Sequence, residues 1–74
     1  YLYTMKKKIK IKINGKLNII DNKTKLSVFL KYHKIPLRKV AIELNRKIVD
    51  KKKLDKIILK TNDKIEIVHF IGGG

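Results

Sequence analysis

Polar and apolar residues alternate without a break near the start of the chain, over Lys8–Ile13. Because successive side chains of a β-strand point to opposite faces, this pattern predicts a strand with one buried and one solvated face. Its lysines are expected to keep that face soluble and to discourage edge-to-edge pairing. Asn14 and Gly15 follow, and Asn-Gly favours a tight hairpin because both central positions need positive φ. Residues 17–20 are therefore predicted to form the returning strand.

The apolar spacing changes to that of a helix after a polar break at residues 21–23. Thr24 is a suitable N-cap. The stripe that follows at helical spacing comprises Leu26, Phe29, Leu30 and His33, with Val28 nearby. Pro36 lacks a backbone N–H and disfavours helix at the residue before it, so the helix is expected to end near Lys34. His33 would then lie close to the negative end of the helix dipole.

The second half of the chain predicts further strands and a turn of helix. In order, these are a strand with Val40, Ile42 and Leu44, a turn at 45–47, a short apolar segment at 48–49, a solvated basic loop at 51–53, a helical turn with Leu54 and 57–59, and a last strand at 65–70.

Two predicted strand pairs therefore flank one main helix. A single mixed sheet with that helix packed across one face would bury the apolar side of every element. The first and last strands are expected to lie side by side in parallel, joined by a right-handed crossover. This α+β arrangement is the β-grasp of ubiquitin-like proteins. One domain is expected over residues 5–74, with residues 1–4 as an N-terminal extension ahead of Met5.

The net charge of +14 admits two explanations. A basic surface is the usual electrostatic footprint of a nucleic-acid binder. However, Arg38 and Arg46 are the only arginines among the 20 basic residues, and few aromatic residues are present to stack on bases. Lysine, isoleucine and asparagine are also the residues that A/T-rich codons specify. We therefore favour a solvated surface shaped by coding bias and regard nucleic acid as the weaker hypothesis.

Residues that could carry chemistry are sparse. The chain has no cysteine and two histidines, His33 and His69, so neither a metal site nor a catalytic constellation is predicted. No apolar run reaches the ~20 residues of a membrane span, and no signal peptide is recognisable. These features favour a cytoplasmic protein, or a protein of the plastid stroma if the gene is plastid-encoded, with no membrane partner.

Three glycines, Gly72, Gly73 and Gly74, follow the last predicted strand almost directly. Glycine lacks a Cβ, so residues 71–74 are expected to form a thin and flexible tail. Three extended residues span roughly 10 Å, enough to carry a free α-carboxylate into a narrow cleft. Taken alone, a glycine run is more often a frayed end or a linker.

Together with the strand pattern, this tail resembles the ThiS family, the sulfur carriers of thiamine-thiazole biosynthesis. The resemblance covers residues 7–74. It is carried by residues 13–16, by Thr24, Leu26, Val28 and Leu30, by residues 40–45, 48–49 and 63–68, and above all by the ending His69-Phe70-Ile71-Gly72-Gly73-Gly74. One departure is Asn45-Arg46, where the family often has Asn-Gly, and it puts the shape of that turn in question. The lysine content is also unusual for the family.

The resemblance implies that partner enzymes perform the chemistry. A ThiF-type adenylating enzyme would use ATP and magnesium to activate the carboxylate of Gly74. A sulfur donor relay, such as a cysteine desulfurase, would then convert Gly74 to a thiocarboxylate, 1-thioglycine. This group would donate its sulfur to a ThiG-type thiazole synthase. The carrier itself would bind no cofactor and would supply no catalytic residue or metal ligand.

Docking to such partners would need a surface beside the tail. If Ile65 and Ile67 face the core, alternation directs Val68 and Phe70 to the other face, where they and Ile71 would form an apolar contact site. The alternative is that Phe70 folds back into the core.

Other functions fit parts of the sequence. The sulfur carrier of molybdopterin synthase has the same predicted fold, tail and activation, and a ubiquitin-like modifier would share the ending. A small basic nucleic-acid-binding domain belongs to a different class and would give the tail no role.

Overall fold

The computed structural model of the chain describes residues 7–70. The elements are β1 (Lys8–Ile13), β2 (Lys16–Asp21), α1 (Leu26–Tyr32), a first 3₁₀ helix (Leu37–Lys39), β3 (Val40–Leu44), β4 (Lys47–Ile48), a second 3₁₀ helix (Lys51–Lys56) and β5 (Lys64–His69). The strands form one mixed sheet in the order β2-β1-β5-β3-β4, with β1 and β5 parallel. This architecture confirms the predicted β-grasp. The predicted extension at 1–4 and the tail at 71–74 lie outside the described residues.

The core lies between α1 and one face of the sheet. Its buried residues are Leu26, Phe29 and Leu30 of α1, Ile11 of β1, Val40 and Ile42 of β3, Ile65 and Ile67 of β5, and Leu54 and Leu59 from the segment before β5. The predicted parallel contact of the first and last strands thus brings both ends of the domain into one core. A single core of this size leaves only a few kcal/mol of net stability.

The predicted N-cap at Thr24 is wrong. Helix α1 begins at Leu26, and the Thr24 hydroxyl instead donates to the Asp21 carbonyl at 2.6 Å. The segment before the helix is extended because it pairs with residues 57–59: the Leu59 N–H donates to the Thr24 carbonyl at 2.8 Å, and the Leu26 N–H to the Ile57 carbonyl at 2.9 Å. Because of these long-range bonds, the helix begins at Leu26 rather than directly after Thr24.

The helix ends where Pro36 predicted, by a specific capping arrangement. Tyr32 is its last residue, and Lys34 takes a left-handed φ of 56°. The Lys34 N–H donates to the Lys31 carbonyl and the Ile35 N–H to the Leu30 carbonyl, both at 3.0 Å. These are the two bonds of a Schellman motif, here with lysine at the position that usually holds glycine.

Two members of the predicted helical stripe are not buried. His33 caps the helix C-terminus in an exposed position, and its ring lies 4.4 Å from the Phe29 ring. Val28 is 56% exposed. The reason is the short helix: two turns present only Leu26, Phe29 and Leu30 to the sheet.

The helical turn of the second half lies earlier than predicted. The basic run at 51–53, expected to be a loop, opens the second 3₁₀ helix, whose N-cap Asp50 accepts a bond from the Lys52 N–H at 2.9 Å. Leu54 is buried as expected. Ile57 instead has extended backbone angles and Ile58 forms a β-bridge to Lys25, so residues 57–59 are not a helical turn.

Both hairpins turn through residues with positive φ. Asn14 and Gly15 have φ of 49° and 82°, as the Asn-Gly pair predicted. At the second hairpin Asn45 and Arg46 have φ of 53° and 71°. The departure from Asn-Gly therefore leaves the turn geometry unchanged, and Arg46 occupies a region that an L-residue enters only at a cost.

The two turn asparagines also bond to β5. The Asn14 side-chain oxygen accepts from the Ile67 N–H at 2.8 Å, and the Asn45 side-chain oxygen accepts from the Lys64 N–H at 2.9 Å. The last Cα partners of the parallel pair β1–β5 are Ile13 and Ile65. The Asn14 bond continues the contact with β5 beyond that pair. Each hairpin turn thus fixes the position of the last strand.

Replacing Asn14 by Gly would preserve positive φ but remove the acceptor for the Ile67 N–H. We expect a loss of about 1–2 kcal/mol in the free energy of unfolding, because a part-buried donor loses its partner. Asn14→Asp keeps an acceptor and should stay within about 0.5 kcal/mol of the native chain. Urea unfolding followed by circular dichroism measures both changes. A glycine variant as stable as the native chain would show that this bond contributes nothing.

Replacing Arg46 by Gly should raise the free energy of unfolding by roughly 1 kcal/mol, because glycine removes the left-handed penalty. The reverse control is Gly15→Ala, which should lower it by a similar amount. Apart from the glycine itself and its two chain neighbours, no atom lies within 4 Å of a methyl group added at Gly15, so the change reports backbone conformation. Thermal unfolding of both variants provides the comparison. A destabilised Arg46→Gly variant would mean that the arginine side chain contributes more than its backbone costs.

Candidate functional site

Strand β5 leads toward the predicted tail and occupies the centre of the sheet. Its first residues pair with the end of β1, and nearly its whole length pairs with β3. One further backbone bond follows the strand, from the Phe70 N–H to the Lys39 carbonyl at 2.9 Å. The backbone is therefore anchored up to Phe70, the last described residue.

The two faces of β5 differ as alternation predicted. Ile65 and Ile67 are 1% and 9% exposed and belong to the core. Glu66 is exposed, and Val68 is 50% exposed on the same side. We call the sheet face turned away from α1 the open face. Val68 thus lies on the open face, two residues before the end of the described chain.

Phe70 lies outside the core. It is 48% exposed, and the Lys51 ammonium group lies 5.5 Å from its ring centroid, within cation–π range. The same ammonium group donates to the Leu37 carbonyl. The alternative that Phe70 folds back into the core is therefore wrong, because the ring is half exposed and does not belong to the core cluster.

The remaining predicted site residues cannot be placed. Ile71, Gly72, Gly73 and Gly74 lie outside the described residues, so their roles as contact, spacer and sulfur-carrying end stay predictions. The proposed contribution of Val68 and Phe70 to docking also stays a prediction, although both are accessible to a partner.

Residues 7–70 contain no group of three or more His, Cys, Asp and Glu side chains placed to hold a metal ion. Within the same part of the chain, no helix is long and apolar enough to cross a membrane. His33 and His69 lie on separate elements, at the end of α1 and the end of β5.

The open face carries a charge pattern that the sequence did not reveal. Lys12 is the Cα partner of Lys64 across the parallel pair, and Lys10 precedes it on the same side of β1. Glu43 and Glu66 are Cα partners across β3 and β5. Like charges thus face each other twice on one surface. Only the strand registers bring these residues together, and no local sequence signal specifies a register between distant strands.

A model of the ThiS family matches residues 8–74. The match takes in all five strands, the helix and the three glycines. The chain belongs to the ThiS family.

Similar proteins fall into two groups by length. Protein ycf40 of Trieres chinensis is 39% identical over 62 residues, which cover 84% of this chain and 85% of that protein. A thiazole synthase of Magnetococcus marinus is 36% identical over 66 residues, 89% of this chain but 20% of the synthase. A thiazole synthase of Paramagnetospirillum magneticum matches to the same extent. The chain thus spans about a fifth of the length of these synthases.

A solved structure agrees with the ThiS assignment. The crystal structure of the thiamine biosynthesis protein ThiS from Geobacter metallireducens superimposes with a TM-score of 0.78 at 26% identity. The similarity covers 89% of this chain and 100% of that one. The β-grasp described above is therefore the fold of a ThiS protein.

Substituting Phe70 by Ser should lower the free energy of unfolding by only about 1 kcal/mol, because half of the ring is already in water and an exposed cation–π contact contributes little. Phe29→Ser is the matched control: Phe29 is 3% exposed, and its loss should cost at least about 3 kcal/mol. Thermal unfolding of both variants tests the assignment. Equal losses of stability in the two variants would show that Phe70 belongs to the core.

Proposed function

We propose that this chain is a sulfur carrier in the synthesis of the thiazole ring of thiamine, with Gly74 as the residue that carries the sulfur. The observation that supports this most strongly is the ThiS family match, which runs through the β-grasp domain and includes the three glycines. On this proposal the chain is a protein co-substrate on which partner enzymes act.

A carboxylate is a poor electrophile, so the first step must activate it. The Gly74 carboxylate attacks the α-phosphorus of ATP in the active site of a ThiF-type enzyme, and pyrophosphate leaves with magnesium assistance. Sulfur delivered as a persulfide, for example by a cysteine desulfurase relay, displaces AMP from the acyl adenylate. Cleavage of the sulfur–sulfur bond by a thiol leaves the thiocarboxylate, which transfers its sulfur to thiazole synthase.

The described residues would support this chemistry by positioning. Strand β5 is bonded on both sides at its start and stays bonded to β3 up to His69, and the Phe70 N–H is bonded to the Lys39 carbonyl. The tail would therefore start from a fixed point. Gly72, Gly73 and Gly74 would add reach without side chains that could clash in a narrow cleft. Val68 and Phe70, each about half exposed, would provide apolar contact beside that cleft.

Thiazole synthase is the partner best supported by the relatives. In the Magnetococcus and Paramagnetospirillum proteins, the matching segment is part of a polypeptide named thiazole synthase. Joining two modules in one chain raises their effective concentration, which benefits modules that must meet. We infer that this chain donates sulfur to a thiazole synthase of the same kind. The similarity to ycf40 fits a plastid stroma location, with the cytoplasm as the alternative.

The direct test is the intact mass of the chain after incubation with a ThiF-type enzyme, ATP, magnesium and a sulfur donor. We expect a mass gain equal to the exchange of one oxygen for sulfur. A variant lacking Gly74 should gain nothing, although its circular dichroism should remain native. The enzyme's activity on its own carrier is the positive control.

No gain on the native chain, with that control active, would contradict the thiazole assignment. A molybdopterin-type activating enzyme would then be tested in the same way, and a gain there would reassign the pathway. Failure with both enzymes would reject the carrier function itself.

A further inference from the structure

The end of β5 and the start of the second 3₁₀ helix are both bonded to the first 3₁₀ helix (Leu37–Lys39). The Phe70 N–H donates to the Lys39 carbonyl at 2.9 Å, and the Lys51 ammonium group donates to the Leu37 carbonyl. Carbonyl groups in the last turn of a helix have no partner inside it, so they are open to donors from elsewhere. The first 3₁₀ helix thus holds two residues from distant parts of the chain.

These two residues also contact each other. The Lys51 ammonium group lies 5.5 Å from the centroid of the Phe70 ring, within cation–π range. In the described part of the chain, Lys8 is the other lysine whose ammonium group donates a hydrogen bond, and its acceptor is a carboxylate. Lys51 differs because its contacts, a main-chain carbonyl and an aromatic ring, connect two segments. We call the contacts among Leu37, Lys39, Lys51 and Phe70 the clasp.

The backbone of Lys51 is fixed by the start of the second 3₁₀ helix. Asp50 is the N-cap of this helix, and its side chain accepts from the Lys52 N–H at 2.9 Å. Leu54, which is 4% exposed, anchors the same helix in the core. The Lys51 side chain therefore extends from an anchored segment, and its contact with Phe70 connects the end of β5 to the rest of the domain.

The clasp lies beyond the part of β5 that the sheet holds. The Cα pairing with β1 ends at Ile65, and the Asn14 side chain bonds to the Ile67 N–H. The pairing with β3 ends at His69. Phe70 comes next and is the last described residue before the predicted tail, so its backbone sets the point and the direction from which residues 71–74 continue.

We propose that Lys51 is a positioning residue for the sulfur-carrying end: it holds Phe70 against the first 3₁₀ helix and so fixes the direction in which the chain leaves β5. This proposal rests on the proposed function of Gly74. Releasing Phe70 would add the backbone freedom of one residue between the domain and Gly74, and an enzyme that binds this end would have to remove that freedom. The effect originates in the chain itself and therefore applies to every enzyme that acts at Gly74.

Nuclear magnetic resonance of the full chain tests the clasp without any enzyme. The ring current of Phe70 should shift the ε-methylene protons of Lys51 upfield, and Phe70→Leu should remove that shift. Lys51→Met keeps an extended side chain but removes the cation and the donor. It should raise the hydrogen-exchange rate of the Phe70 N–H by about fivefold. Exchange at the Ile67 N–H should not change, because Asn14 holds that group.

The rate of mass gain with a ThiF-type enzyme measures the consequence for function. Lys51→Met should lower kcat/KM about fivefold, because one more residue must be ordered. Lys51→Arg should stay within about twofold of the native chain, because a guanidinium group can also donate to a carbonyl and lie over an aromatic ring. Lys52→Met is the matched control: it removes the same charge from the next residue of the same 3₁₀ helix, and its kcat/KM should stay native.

A double variant tests whether Lys51 acts through the ring. In a chain that already carries Phe70→Leu, adding Lys51→Met should have no further effect on kcat/KM, because the cation has no ring left to hold. An undiminished effect would overturn the proposal and show that Lys51 contacts the enzyme directly.

Other results would also overturn the proposal. An unchanged exchange rate of the Phe70 N–H in Lys51→Met would show that Lys51 does not hold this residue. Equal losses of kcat/KM in Lys51→Met and Lys52→Met would reduce the effect to net charge. In both cases the native chain would still gain sulfur, so the carrier function would stand. A native chain that gains no sulfur would instead reject the proposed function, and with it the role of Lys51.

Discussion

The parallel pairing of β1 with β5 holds the two ends of the domain together in one sheet. It joins the first strand of the chain to the last, although only two pairs of Cα partners connect them, Lys12 with Lys64 and Ile13 with Ile65. Side chains of the two hairpin turns add hydrogen bonds to β5: the Asn14 side-chain oxygen accepts from the Ile67 N–H, and the Asn45 side-chain oxygen accepts from the Lys64 N–H. A strand held in this way can lie at the centre of the sheet and still lead out of it, and for this reason a β-grasp is suited to presenting a tail.

Alternation along β5 then separates the residues that form the core from those that are accessible to a partner. Ile65 and Ile67 contribute to the core, whereas Glu66 and Val68 face outward on the same strand. Because the two sets never share a face, the outward positions can change for a partner with little effect on the core. Phe70 follows the last strand residue; it is half exposed, and the Lys51 ammonium group lies 5.5 Å from its ring centroid, so it stays outside the core although it is aromatic.

The lysine content has two different meanings in this structure. Most lysines lie on solvated surfaces, and their number fits the codon bias inferred from composition. Lys12 and Lys64 differ because the register of β1 and β5 makes them Cα partners, and no ion pair joins either to a carboxylate in the described part of the chain. For a small domain with little stability to spare, such a pair is a measurable disadvantage.

Elements with local signals could be predicted from the amino-acid sequence. Alternation specified β1 and β5, Asn14-Gly15 specified the first hairpin, and Pro36 limited the helix. Tertiary structure decided everything that depended on a distant partner. Residues 57–59 pair beside Thr24 and displace the helix start, and Lys51 reaches Phe70 from another element. The strand registers set Lys12 against Lys64 and Glu43 against Glu66. Local patterns encode the direction in which a side chain points, but a contact between distant residues exists only once the chain has closed around its core.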